Sequence, residues 1–125
     1  MKLSRIKKLQ EFLKSKKIQY FLLKRTDEFL GEYIASYAER LSWLTNFSGS
    51  AGRAIISTNK VRLFVDGRYT FQAKEEINNK EIELDHLNNY WQHIKQLVKK
   101  NGRLTLDAKL HSVQEVLKIK NLFKK

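Results

Sequence analysis

Apolar residues recur along this chain at two spacings, and the switches between them mark out the elements. Leu3, Ile6, Leu9, Phe12 and Leu13 fall at helical intervals with Lys and Arg between them, which predicts an amphipathic first helix. "IQYFLL", Ile18 to Leu23, is a nearly unbroken apolar run of strand length, of the kind buried on both faces of an α/β sheet. The next stretch, "KRTDEFLGEYIASYAERLSWLTNFSGSAG", is irregular. It predicts one short helix around Glu39 to Leu44, with Trp43 packing inward. "RAIIS" and "VRLFVD" then predict two strands of a hairpin joined by "TNK".

Helical spacing returns in "GRYTFQAKEEI", where Tyr69, Ala73 and Ile77 share a face. A short strand around Ile82 to Leu87 precedes "YWQHIKQLVKK", whose Trp91, Ile94, Leu97 and Val98 form an apolar stripe. Asn101 and Gly102 are expected to close that helix as a C-cap pair. "RLTLD" predicts a further strand. "SVQEVLKIKNLFK" predicts a last helix, with Ser112 as N-cap and Glu115 completing a capping box. Helices and strands in this order describe an α/β layered domain with a mixed sheet of about five or six strands. No repeat period and no low-complexity linker divides residues 1–125, which are expected to form a single domain. The ending "LFKK", just after a helix, is what a domain cut from a longer protein would show.

Composition narrows the partners. The 125 residues and 14.8 kDa suffice for one core, and the absence of cysteine removes disulfides, thiolate metal sites and thiol catalysis. No apolar run approaches the ~20 residues of a membrane helix, and the N-terminus lacks the apolar core of a secretory signal. A cytoplasmic location is expected, and no membrane partner. The formal charge of +12 raises nucleic acid as a partner. However, lysine supplies 18 of the 25 basic residues, arginine only 7, and the lysines are spread along the chain. Arginine is the side chain suited to bidentate phosphate contacts, so the charge reads as a solvated surface and nucleic acid is not expected.

Candidate chemistry is sparse. His86, His93 and His111 have no H-x-x-x-H or H-E-x-x-H spacing, so no metal site is expected in this chain. "FSGSAG" holds Gly49 and Gly52 in a G-x-x-G pattern, which can cradle a phosphate, grip a nucleic acid or make a turn. It leads into a strand, so no helix N-terminus follows to bind an anion, and no Lys-Ser/Thr follows Gly52. A KH-type loop lies between two helices, which this does not. Positive φ and close backbone approach at the entry to a central strand are the expected reasons for the two glycines. In "VDGRYTFQA", Asp66 is a candidate N-cap and Gly67 opens the turn. Arg68 is then either simply solvated or, being at the C-terminal edge of a strand, placed to bind a carboxylate or a peptide carbonyl.

Taken in order, "DEFLGEYIASYAERLSWLTNFSGSAGRAII", "LFVDGRYTFQA" and "RLTLDAKLHS" resemble the first domain of the long, three-domain Xaa-Pro aminopeptidases (aminopeptidase P, peptidase family M24). The match is strongest from Asp27 to Ala73 and rests on two motifs together, Gly49-Ser50-Ala51-Gly52 and Asp66-Gly67-Arg68-Tyr69. The resemblance implies a creatinase/prolidase N-terminal domain with a ribonuclease-H-like α/β layer. It implies a parent enzyme that removes the N-terminal residue from peptides with proline second. The parent would use a dinuclear metal centre, usually Mn2+, held by a C-terminal catalytic domain that is this domain's partner. It also implies that Arg68 faces the cleft and binds substrate, with Asp66 and Tyr69 holding it. Phe29 stands where histidine is common, Gly31 where serine is common, Arg53 replaces a smaller residue, and a usual proline before Glu39-Arg40 is missing. The alternative kept beside this is a non-catalytic module of the same fold that binds protein or nucleic acid.

Overall fold

Five strands form one mixed sheet in the order β4-β3-β2-β1-β5, with helices on both faces. The structure, a computed structural model, describes residues 4–26, 39–77, 80–100, 102–107 and 111–123. Residues 27–38 of the irregular stretch after β1, Phe29 and Gly31 among them, and Asn101 lie outside the described residues. The chain runs α1 (Arg5–Ser15), β1 (Tyr20–Lys24), α2 (Arg40–Thr45), β2 (Gly52–Ser57) and β3 (Val61–Val65). A 3-10 turn (Gly67–Tyr69) leads into α3 (Thr70–Glu76) and β4 (Ile82–His86). A second 3-10 turn (Leu87–Asn89), α4 (Tyr90–Lys99), β5 (Leu104–Leu106) and α5 (Val113–Leu122) complete it.

Period-two alternation sorts the strand residues between two cores. Leu23, Ala54, Ile56, Leu63 and Val65 face α1, α2 and α3, where they pack with Ile6, Leu13, Leu41 and Ala73. Leu22, Ile55 and Phe64 face the other way onto Tyr90, Ile94, Leu97 and Ile119 of α4 and α5. The apolar runs of β1, β2 and β3 are thus explained: every residue has a core to enter, as expected of strands covered on both faces. β1–β2 and β2–β3 are antiparallel, while β3–β4 and β1–β5 are parallel and need helical crossovers.

Caps set the helix boundaries. Ser4 caps α1 by accepting from the Lys7 N–H at 3.1 Å, and Ser112 caps α5 by accepting from the Glu115 N–H at 3.1 Å. The Glu115 carboxylate does not complete a capping box; it is taken by Arg53 at 2.7 Å and Lys24 at 2.8 Å. α4 is capped at its C-terminus by Lys100, and the Gly102 N–H bonds the Leu97 carbonyl at 2.9 Å. Trp43 does not pack inward. It is 57% exposed on α2, with the Arg5 guanidinium of α1 stacked 4.7 Å from its ring centre. A cation over the ring face removes much of the cost of leaving an indole at the surface.

Candidate functional site

Strand register brings the two glycine motifs to the same edge. Gly52, the first residue of β2, pairs with Val65, the last of β3, so Gly49–Gly52 arrives where Asp66–Tyr69 departs. Between them lies Phe47, 1% exposed, its ring edge-on to Tyr69 at 5.9 Å and 76°. A methyl group on Gly49 would run into that ring, and one on Gly52 would stand 2.9 Å from Leu41 Cδ2 and 3.1 Å from Phe47 Cε2. Neither glycine has positive φ; no described glycine does. The expectation of positive φ is therefore corrected: the absent side chains make room for Phe47, and the backbone there is open to any L-residue.

Polar contacts tie the motifs together above Phe47. The Ser50 and Tyr69 hydroxyls are hydrogen-bonded to each other. Arg25 donates from Nη1 to the Ser50 carbonyl at 3.3 Å and pairs with Glu39 at 3.2 Å. Ser48 donates to Glu76 Oε2 at 2.6 Å, and Gln72 donates to Glu76 Oε1 at 2.9 Å, joining the loop to α3. Burial would raise the Glu76 carboxyl, but the bonds from Ser48 and Gln72 hold it below its ordinary value. Ala51 is half-buried and makes no hydrogen bond through its side chain.

Asp66 caps the turn as the sequence predicts. Its Oδ1 accepts from the Arg68 N–H at 2.9 Å and from Arg68 Nε at 3.2 Å. The backbone N–H bond from Arg68, more than the guanidinium, lowers the Asp66 carboxyl. Arg68 is 75% exposed at its side chain, and its guanidinium carbon lies 5.5 Å from the Tyr69 ring centre. Held through Nε and braced on Tyr69, it keeps both Nη groups free of hydrogen bonds to described residues. That fork can donate two parallel bonds to a carboxylate, or single bonds to a carbonyl. Gly67 begins the turn, and a side chain there would meet only His86 Nε2, at 3.2 Å.

Sequence reasoning did not find Phe47, Arg25, Glu76 or Gln72 as parts of this edge. The signal for Phe47 was its place two residues before Gly49; the others come from elements whose packing no local spacing reports. The three histidines do not meet: His86 accepts from the Asn88 N–H, His93 lies against Phe64, and His111 is buried beside the α5 cap. Among the described residues, no group of three or more His, Cys, Asp or Glu side chains is placed to hold a metal ion. No described helix is long and apolar enough to cross a membrane.

The mixed five-stranded sheet, covered by helices on both faces, defines the class as an α/β layered domain. The family model for the creatinase/prolidase N-terminal domain matches residues 5–125, and the chain belongs to that family. Its curated relatives include the "Probable Xaa-Pro aminopeptidase P" of Laccaria bicolor, 40% identical over 74 residues, 59% of this chain and 12% of that protein. The protein of the same name from Penicillium rubens is 39% identical over 75 residues, 60% of this chain and 12% of that one. The matched region is thus about an eighth of the relatives' length. Among solved structures, the X-prolyl aminopeptidase from Caenorhabditis elegans, described as a cytosolic enzyme with a di-nuclear active site, superposes with a TM-score of 0.83. It is 25% identical over 94% of this chain and 22% of that one. The N-terminal domain of cytoplasmic peptidase PepQ from Mycobacterium tuberculosis shares the fold, with a TM-score of 0.67 and 19% identity over 94% of this chain and 83% of that one.

Proposed function

We propose that this chain is the N-terminal domain of a cytoplasmic, metal-dependent Xaa-Pro aminopeptidase, and that it caps the active site and helps bind the peptide. The observation that carries this reading is Arg68: exposed, fixed by Asp66 and Tyr69, and offering its fork at the edge built by both motifs. In this reading the partner is the C-terminal catalytic domain of the same polypeptide, which holds the two metal ions, proposed to be Mn2+. The described residues offer no cluster suited to such a centre, and in this reading hydrolysis takes place in that domain. The role left to this domain is orientation: a charged hydrogen-bond donor at the cleft wall fixes the peptide relative to the scissile bond.

The test is Arg68→Ala in the polypeptide that carries the catalytic domain. A charge-assisted hydrogen bond of about 1.5–3 kcal/mol corresponds to a loss in kcat/KM of roughly ten- to a hundredfold on a peptide with proline second. Metal content should not change. Unaltered kinetics would remove Arg68 from substrate binding.

A further inference from the structure

A groove runs along one face of the sheet. β2 carries the chain from Gly52 at the motif edge to Ser57 at the far end, six strand residues, so the hairpin-turn wall of the groove lies ~17–20 Å from that edge, while Asp85 and Asn89 carry the groove back toward it. The α1–β1 connection, the hairpin turn and the exposed side of α4 enclose about 990 Å³ there. That volume is at the upper end for small-molecule sites. Part of the lining is apolar: Ile18, Tyr20, Ile55 and Leu97. Five cations, Lys14, Lys17, Lys60, Arg62 and Lys100, face two carboxylates, Glu83 and Asp85, which leaves a local charge of +3 with His93 neutral.

The two carboxylates are already engaged. Arg62 spans them, at 2.9 Å to Asp85 and 3.1 Å to Glu83. Lys14, Lys17 and Lys100 form no ion pair with a described residue, and Lys60 reaches only 4.0 Å from Glu83. Helix C-termini favour nearby cations, which accounts for Lys14 and Lys100 as helix residues. The same holds for Lys17, whose left-handed backbone at φ 58° closes α1 with bonds from the Lys17 N–H to the Lys14 carbonyl at 3.1 Å and from the Ile18 N–H to the Leu13 carbonyl at 2.9 Å; Lys60, on the hairpin turn, is at no helix end. Asn59, Gln92 and Gln96 add neutral donors and acceptors to the same walls. Lysines of which three form no ion pair with a described residue, amides and an apolar surface together suit a phosphate group carried on a small body.

We propose that this groove binds a small phosphorylated anion, with Lys14, Lys17, Lys60 and Lys100 meeting the phosphates. The probes are inorganic tripolyphosphate and ATP, titrated into the 125-residue chain at about 150 mM salt, where exposed charge is strongly screened. Binding is read by calorimetry, and its location by amide NMR shifts. The expected result is saturable binding of at least one probe, with shifts at Gln19, Asn59, Gln92 and Gln96. Lys17→Gln/Lys60→Gln should weaken it about thirtyfold, two exposed ion pairs at the upper end of their strength. Lys7→Gln/Lys74→Gln, which removes the same charge outside the groove, should leave it within about twofold. Tighter ATP than tripolyphosphate assigns a role to the base and sugar; equal affinities assign the site to the phosphates alone. No saturable binding overturns the proposal. So do equal losses in the two double variants, or binding of a single-stranded oligonucleotide only.

Discussion

Replacing Glu115 with Gln removes one charge from the clamp that fastens α5 to the sheet. In the native protein this carboxylate accepts from Arg53 at 2.7 Å and 3.3 Å and from Lys24 at 2.8 Å. Burial alone would raise the Glu115 carboxyl; the bonds from Arg53 and Lys24 overcome that and bring it from 4.5 to about 2. At 1.36 kcal/mol per pH unit, that displacement corresponds to roughly 3 kcal/mol. A side chain that keeps 17% of its surface in water is partly screened, which reduces the figure to about 2 kcal/mol. The folded value lies below the unfolded one, so the stabilisation is complete above 4.5 and is lost as pH falls through about 2. Urea unfolding followed by tryptophan fluorescence measures it, since Trp91 lies 5.9 Å from the Arg53 guanidinium. Native and Glu115→Gln proteins should differ by about 2 kcal/mol near pH 7, and by less than half of that near pH 3, where the carboxyl of the unfolded chain is already protonated and folding must release its proton. A gap equal at both pH values, or below about 0.5 kcal/mol near pH 7, refutes the reasoning.

Gly49→Ala should cost about 1–3 kcal/mol by thermal or urea unfolding because its methyl group collides with Phe47, whereas Gly67→Ala should cost under about 1 kcal/mol because only the His86 side chain must give way. Equal costs would return the explanation to backbone conformation. Tyr69→Phe removes the hydroxyl bonded to Ser50 and should destabilise by about 0.5–1.5 kcal/mol while leaving the ring on Phe47. In the polypeptide with its catalytic domain, the same change should reduce kcat/KM less than Arg68→Ala does; a larger loss would make Tyr69, and not Arg68, the group that meets the peptide.

Elements whose cause is local were legible in the sequence. The apolar runs of β1, β2 and β3, the Asp66 cap and the Ser112 cap all lie within a few residues of what produces them. Failures came where the cause is distant. Trp43 stays exposed because Arg5, 38 positions away, is available to cover it. Arg53 read as a departure from a smaller residue, yet it sits 4.8 Å from the Tyr90 ring centre and pairs with Glu115, 62 positions away. Glu115 looked like half of a capping box because Ser112 and Glu115 have the spacing, and nothing local reveals that Arg53 competes for it. At the candidate site, the two motifs were legible as a signature along the chain, but their meeting at one sheet edge follows from strand register. The ring of Phe47 that explains Gly49 and Gly52 was not legible, because a glycine required by neighbouring volume and one required by its own φ are the same letter.

The strand order carries a consequence for how the chain assembles. β2 and β3 meet across a three-residue turn, so their pairing closes almost no loop. β1 must instead find β5, and the bond from the Arg103 N–H to Gln19 joins residues 84 positions apart. Closing so long a loop costs entropy before β5, only three residues long, returns any packing. Assembly is therefore expected to start from the β2–β3 hairpin, with β5 and α5 docking late. The clamp of Lys24, Arg53 and Glu115 joins the hairpin side of the sheet to that late segment, and so acts on how long the finished fold lasts more than on how fast it forms.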